Sequence, residues 1–169
     1  FPKDIRALGF SSKEVDSELK LVKSTQVINA LQPIRFIEKI ISRYEGNLEG
    51  KTLALWGLAF KPNTDDTREA PAFIVIEELL KKVSNLRVFD QEAMENTKRV
   101  FGDRIHYSTS MYNALEGSDS LIICTEWNVF RAPDFDRISN LLGQKLIFYG
   151  RNLYDLEDMD TLGFEYYSI

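Results

Sequence analysis

From Lys51 to the final residue, short apolar runs alternate with segments of helical period, and no other feature of the chain narrows its fold as far. The runs cover Thr52 to Trp56, Leu86 to Phe89, Ser120 to Cys124, Leu146 to Tyr149 and Phe164 to Tyr167. Between them the spacing predicts helices over Phe73 to Leu80, Glu92 to Val100, Met111 to Leu115, Phe135 to Leu142 and Asp158 to Leu162. Strands separated by helices of this length pair in parallel through right-handed crossovers, which places helices on both faces of the sheet.

Upstream, residues 13 to 44 carry apolar side chains at spacings near three and four, among them Val15, Leu19, Val22, Ile28, Leu31, Ile37 and Ile41. That period predicts one long helix or two in series, with Pro33 bending or splitting it around Gln32 because proline has no amide donor. The segment Glu45-Gly46-Asn47-Leu48-Glu49-Gly50 is the natural boundary. The expected architecture is α/β: a long central helix within residues 1–48, then a Rossmann-like parallel sheet flanked by helices over residues 49–169.

Composition removes several classes of function. The 169 residues are 44% apolar, enough for a real core. With 21 Lys+Arg against 26 Asp+Glu and no basic stripe, neither nucleic acid nor an anionic membrane is an expected partner. No run approaches the roughly 18 apolar residues of a bilayer span, and the opening FPKDIRALGF has no signal-peptide layout, so a soluble cytoplasmic protein is expected. A single cysteine, Cys124, and a single histidine, His106, exclude an internal disulfide, a cysteine zinc knuckle and a multi-histidine metal site. The start at Phe1 suggests a piece excised from a longer protein.

In a doubly wound sheet, ligands collect at the carboxyl edge. There the first strand runs into Gly57-Leu-Ala-Phe-Lys-Pro62, followed by Asn63-Thr-Asp-Asp-Thr-Arg-Glu-Ala-Pro71. A phosphate is the natural guest of such a turn. However, no second or third glycine follows Gly57 at dinucleotide spacing, which argues against NAD held here in the usual way. Lys61 and Arg68 bracket the turn, either as phosphate ligands or as solvated cations beside Asp65 and Asp66. Thr64, Asp65, Asp66 and Thr67 read as caps of the next helix, with Pro71 in its first turn, rather than as a divalent-cation cluster. Asp90 ends the second strand, where dinucleotide folds keep a ribose-binding acid, and without the glycines it reads as a turn residue. Cys124 reads as inert packing and His106 as incidental. Thr125-Glu126-Trp127 and Arg151 follow later strands onto the same edge, Trp127 either lining a pocket or covering the core, and Arg151 suited to phosphate or carboxylate.

Three of these segments together resemble the carboxyl-terminal domain of UDP-glucose 6-dehydrogenases: Gly57 to Pro71, Thr125-Glu-Trp127 and Gly150-Arg-Asn-Leu-Tyr-Asp155. Phe1-Pro-Lys-Asp4 resembles the segment that follows that family's catalytic cysteine, and Leu162-Gly-Phe-Glu-Tyr-Tyr167 its terminus. The resemblance implies an NAD-dependent two-step oxidation of UDP-glucose to UDP-glucuronate through a cysteine-bound thiohemiacetal and thioester. By the same resemblance, Asp4 is the acid that activates water, Lys3 and Arg68 contact the cofactor NAD, and Phe60, Lys61 and Arg151 contact the substrate. The long helix would form a homodimer, an amino-terminal NAD-binding domain would lie outside this chain, and the fragment alone would be inactive. Asn29 and Gln32 match polar positions at the domain junction, and Tyr149 replaces an aspartate common in relatives. GDP-mannose, a UDP-N-acetylhexosamine or a non-catalytic nucleotide-binding module are the alternatives.

Overall fold

The computed structural model describes residues 5, 7, 8, 19–83 and 85–169. Helix α1 (Lys20–Arg43) leads into six strands: β1 (Thr52–Trp56), β2 (Asn85–Phe89), β3 (His106–Tyr107), β4 (Ser120–Ile123), β5 (Leu146–Tyr149) and β6 (Glu165–Ser168). All five pairings are parallel, in the order β3-β2-β1-β4-β5-β6. This is the doubly wound order, which reverses direction between β1 and β4. The alternation read from sequence thus gives the fold that was expected. Two pieces escaped it: β3, a two-residue edge strand behind a 3-10 turn at Gly102–Arg104, and a four-residue helix at Asn128–Arg131.

The central strands β4 and β5 are buried along their whole length, as a parallel sheet covered on both faces requires. Helices α2 (Pro71–Leu79) and α3 (Met94–Phe101) lie on one face, joined edge to face by Phe73 and Phe101. On the other face are α4 (Met111–Leu115), α5 (Asn128–Arg131), α6 (Phe135–Leu141) and α7 (Leu156–Thr161). Here Trp56 stacks on Phe130, meets Tyr112 edge to face and donates its indole N–H to the Met111 carbonyl at 2.8 Å.

α1 crosses Pro33 as one helix. Its carboxyl-terminal half joins the core through Phe36, Ile37, Ile40 and Tyr44, on the α2 side and over β4 to β6. Polar contacts fix that placement: the Tyr44 hydroxyl donates to Ser120 Oγ at 2.8 Å, Lys39 donates to the Ser168 carbonyl, and Arg43 grips Glu165 with two hydrogen bonds. The Arg43 guanidinium, with help from the Tyr167 hydroxyl, holds the Glu165 carboxyl below its usual range. The amino-terminal half of α1 leaves Leu21, Val27, Ile28, Leu31 and Ile34 exposed.

The Thr64 to Thr67 cluster does not cap α2. The N-cap position belongs to Ala70, which makes no side-chain cap, and Pro71 occupies the first turn as expected. Instead the cluster folds the loop upon itself: Asp66 N donates to Thr64 Oγ1 at 3.1 Å and Arg68 N to Asp66 Oδ1 at 3.0 Å. Side chains two residues apart satisfy the local amides, so none reaches the helix. Side-chain caps occur elsewhere, at Ser110, Asp134 and Asp155.

Candidate functional site

The connections leaving β1, β4 and β5 meet where the strand order reverses, and α1 crosses beside them. Between them lies a cleft of about 620 Å³, within the range of small-molecule sites. Asn29, Gln32 and Pro33 border it from α1, Phe60 and Glu69 from the β1–α2 connection, Cys124 from the position just after β4, and Gly150, Arg151 and Asn152 from the loop after β5. Pro33 cannot donate to the Asn29 carbonyl, so α1 has a gap in its hydrogen-bond ladder at the cleft wall.

Arg151 spans the cleft floor. Its Nη2 donates to the Phe60 carbonyl and its Nε to the Cys124 carbonyl, both at 3.4 Å, while Glu126 Oε2 lies 3.3 Å from Nε. That carboxylate oxygen is buried and makes no hydrogen bond, so the contact is an ion pair without hydrogen-bond alignment. A guanidinium has five N–H donors, and two long contacts leave it able to bind an anion. Cys124 lies beneath it, with burial pushing its thiol up to about 12 although the Arg151 charge pulls the other way. Such a thiol is inert. Iodoacetamide at pH 8 is therefore expected to spare Cys124 in the native protein and modify it after denaturation, read by peptide mass spectrometry.

The structure brings Phe60 and Arg151 together at the cleft, and Lys61 and Arg68 do not line it with them. Lys61 is exposed beside Phe60 and does not line the cleft. Arg68 is held by Asp66 through its own amide and two guanidinium bonds of 2.8 and 2.7 Å and does not line the cleft. Lys3 and Asp4 lie outside the described residues. Among the described residues, no cluster of three or more His, Cys, Asp or Glu could hold a metal ion, and no helix is long and apolar enough to cross a membrane.

Asp90 is far more than a turn residue. It is 2% exposed, and its carboxylate accepts five hydrogen bonds. Oδ2 takes Leu58 N (2.7 Å), Ala59 N (3.2 Å) and the Trp127 indole N–H (3.0 Å), while Oδ1 takes Glu92 N and Ala93 N, each at 2.9 Å. The acid that would meet a ribose in a dinucleotide site is here consumed in tying three loops together, and Trp127 covers the core as its partner. With the second and third glycines also absent, this edge does not fit NAD bound in the dinucleotide manner.

Comparison with known proteins then decides the relationship. Residues 54–156 match the UDP binding domain of the UDP-glucose/GDP-mannose dehydrogenase family. The chain belongs to this family. It is 38% identical over its whole length to the UDP-glucose 6-dehydrogenase of Pseudomonas aeruginosa and 36% identical to UDP-glucose 6-dehydrogenase YwqF of Bacillus subtilis. In both cases it spans 38% of the relative's length. A solved UDP-glucose dehydrogenase from Pyrobaculum islandicum superposes with a TM-score of 0.78 at 29% identity, over 94% of this chain and 35% of that one. The family's UDP binding domain therefore includes the loops after β1, β4 and β5 that enclose the Arg151 cleft.

Glu126 and Thr125 are the site neighbours that pattern reading placed on the correct edge without a role. Their contacts join loops more than 20 residues apart, a distance at which no periodicity carries information.

Proposed function

We propose that this chain is the UDP-sugar-binding portion of a UDP-glucose 6-dehydrogenase, an NAD-dependent enzyme that oxidises UDP-glucose to UDP-glucuronate in two hydride transfers through a cysteine thiohemiacetal and thioester. The observation that carries the reading is the Arg151 guanidinium, spread between the Phe60 and Cys124 carbonyls with donors to spare at the reversal of strand order. A diphosphate is the anion that such a planar fork takes through paired charge-assisted bonds. Phe60 offers an aromatic wall beside it, while Asn29 and Gln32 supply amides for sugar or base. Lys61, one residue beyond Phe60, adds charge at the rim, and Arg68 would turn toward NAD.

Lys3 as a cofactor contact and Asp4 as the water-activating acid belong to the same reading. The cofactor itself, which would accept hydride, is assigned to an amino-terminal domain within the part of the relatives that this chain does not span. Residues 1–48 form the pairing region of a homodimer, with the exposed row Leu21, Ile28, Leu31 and Ile34 as its seam, and residues 49–169 the substrate domain. Burying four such side chains against a second copy is worth about 1.5–3 kcal/mol each before association costs.

Titration calorimetry on the full-length enzyme tests the substrate assignment. Arg151→Ala is expected to weaken UDP-glucose about 10- to 100-fold, the loss of a charge-assisted contact of about 1.5–3 kcal/mol. Lys61→Ala should cost less, because Lys61 stands outside the cleft. Equal binding of UDP-glucose by wild type and Arg151→Ala would refute the assignment, and preference for GDP-mannose or a UDP-N-acetylhexosamine would change the sugar while keeping the cleft.

A further inference from the structure

We infer that Thr125 is a positioning residue whose buried hydroxyl fixes the peptide groups of Ala59 and Phe60, so that the Phe60 carbonyl holds Arg151 in the orientation that receives a sugar nucleotide. The inference rests on the assignment of Arg151 to the substrate diphosphate and extends it to a residue that touches no ligand.

The loop after β1 is immobilised group by group. Leu58 N and Ala59 N donate to Asp90, and Phe60 N donates to the Asp66 carbonyl at 2.8 Å. On the acceptor side, the Ala59 carbonyl takes the Thr125 hydroxyl at 2.6 Å, and the Phe60 carbonyl takes Arg151 at 3.4 Å. Thr125 is thus the side chain that sets the tilt of the Ala59 carbonyl, one peptide before the carbonyl on which Arg151 rests. Thr125 cannot drift, because it is 1% exposed and its backbone packs directly on Gly57. The other rest of Arg151 is the carbonyl of Cys124, the residue before Thr125. Both supports of the guanidinium therefore adjoin peptides that meet at one hydroxyl.

A valine at this position keeps the β-branched shape but cannot donate, so the Ala59 carbonyl loses its partner and the adjoining peptide is released. In the full-length enzyme, Thr125→Val is expected to raise Kd for UDP-glucose 5- to 10-fold, with kcat at saturating substrate within twofold of wild type. Thr125→Ser, which restores the hydroxyl, should bind within twofold of wild type. Because Thr125 acts through Arg151, the double variant Thr125→Val/Arg151→Ala should bind no more weakly than Arg151→Ala alone. If Thr125→Val does not yield folded protein, Thr125→Ala takes its place under the same limits. A folded hydroxyl-free variant that binds within twofold of wild type, a serine variant as weak as the valine one, or additive losses in the double variant would each overturn the inference while leaving Arg151 as a ligand. Unchanged binding in Arg151→Ala alone would remove the substrate assignment, and this inference with it.

Discussion

Asp90→Ala is expected to destabilise the protein by about 3–5 kcal/mol, the range found when one partner of a buried charge network is deleted. The reason lies in what is left behind. Leu58, Ala59, Glu92 and Ala93 each keep a backbone N–H, and Trp127 its indole N–H, around a void too enclosed for each to recover a separate water. Measured against a typical domain stability of about 5–15 kcal/mol, that loss leaves little margin. Asp90→Asn keeps the shape but turns an amide NH2 toward groups that are themselves donors, so conservative geometry alone does not rescue it. Trp127→Phe, which withdraws one donor and trims a buried ring, should cost less than Asp90→Ala, about 1–3 kcal/mol. Urea unfolding gives the ranking, and because Trp127 lies on Asp90 and Trp56 under Phe130, the two tryptophans report on the loop knot and on the core. An alanine variant within about 1 kcal/mol of wild type would show that the three loops hold their positions without the carboxylate.

The same residue shows how far the sequence was legible. Sheet, helices and carboxyl-edge loops follow from apolar periodicity, a local signal fixed by side-chain geometry along one element. The three motifs that carry the family resemblance also lie on those loops. What periodicity could not reveal was direction. Asp90 ends a strand whether its carboxylate faces a ribose or, as here, turns inward to five donors, and the choice depends on amides 31 and 32 residues earlier and an indole 37 residues later. The Thr64 to Asp66 stretch had the composition of a helix cap, yet Ala70 intervenes: Thr64 and Asp66 accept from amides within the loop, and the Asp65 carboxylate takes Asn96 of α3. Similarly, Lys61 and Arg151 share one edge in the chain's topology, but only Arg151 lines the cleft. Phe60, the residue before Lys61, accepts Arg151 at its carbonyl and lines the cleft.

Gly57→Ala is expected to cost about 2–5 kcal/mol and to weaken nucleotide binding at the same time. Two effects combine. Gly57 has φ +87°, where an L side chain is strained by about 1–2 kcal/mol. In addition, an added Cβ would stand 2.6 Å from Thr125 N and 2.7 Å from Thr125 Cβ, so the end of β1 and the end of β4 would have to separate. Overpacking of this kind costs about 1–3 kcal/mol. Gly50→Ala isolates the first effect, since Gly50 has φ +76° and an added Cβ would meet nothing within 4 Å; about 1 kcal/mol is expected there. The difference between the two variants in urea unfolding is then the cost of forcing apart β1 and β4 at the point where the strand order reverses. Because Thr125 follows Cys124 and Gly57 precedes the Phe60 loop, that separation moves both carbonyls beneath Arg151. On the proposed substrate assignment, titration of the full-length enzyme with UDP-glucose should consequently show weaker binding for Gly57→Ala and unchanged binding for Gly50→Ala. If Gly57→Ala were no worse than Gly50→Ala in either measurement, close approach of the two strand ends would have no part in holding the cleft.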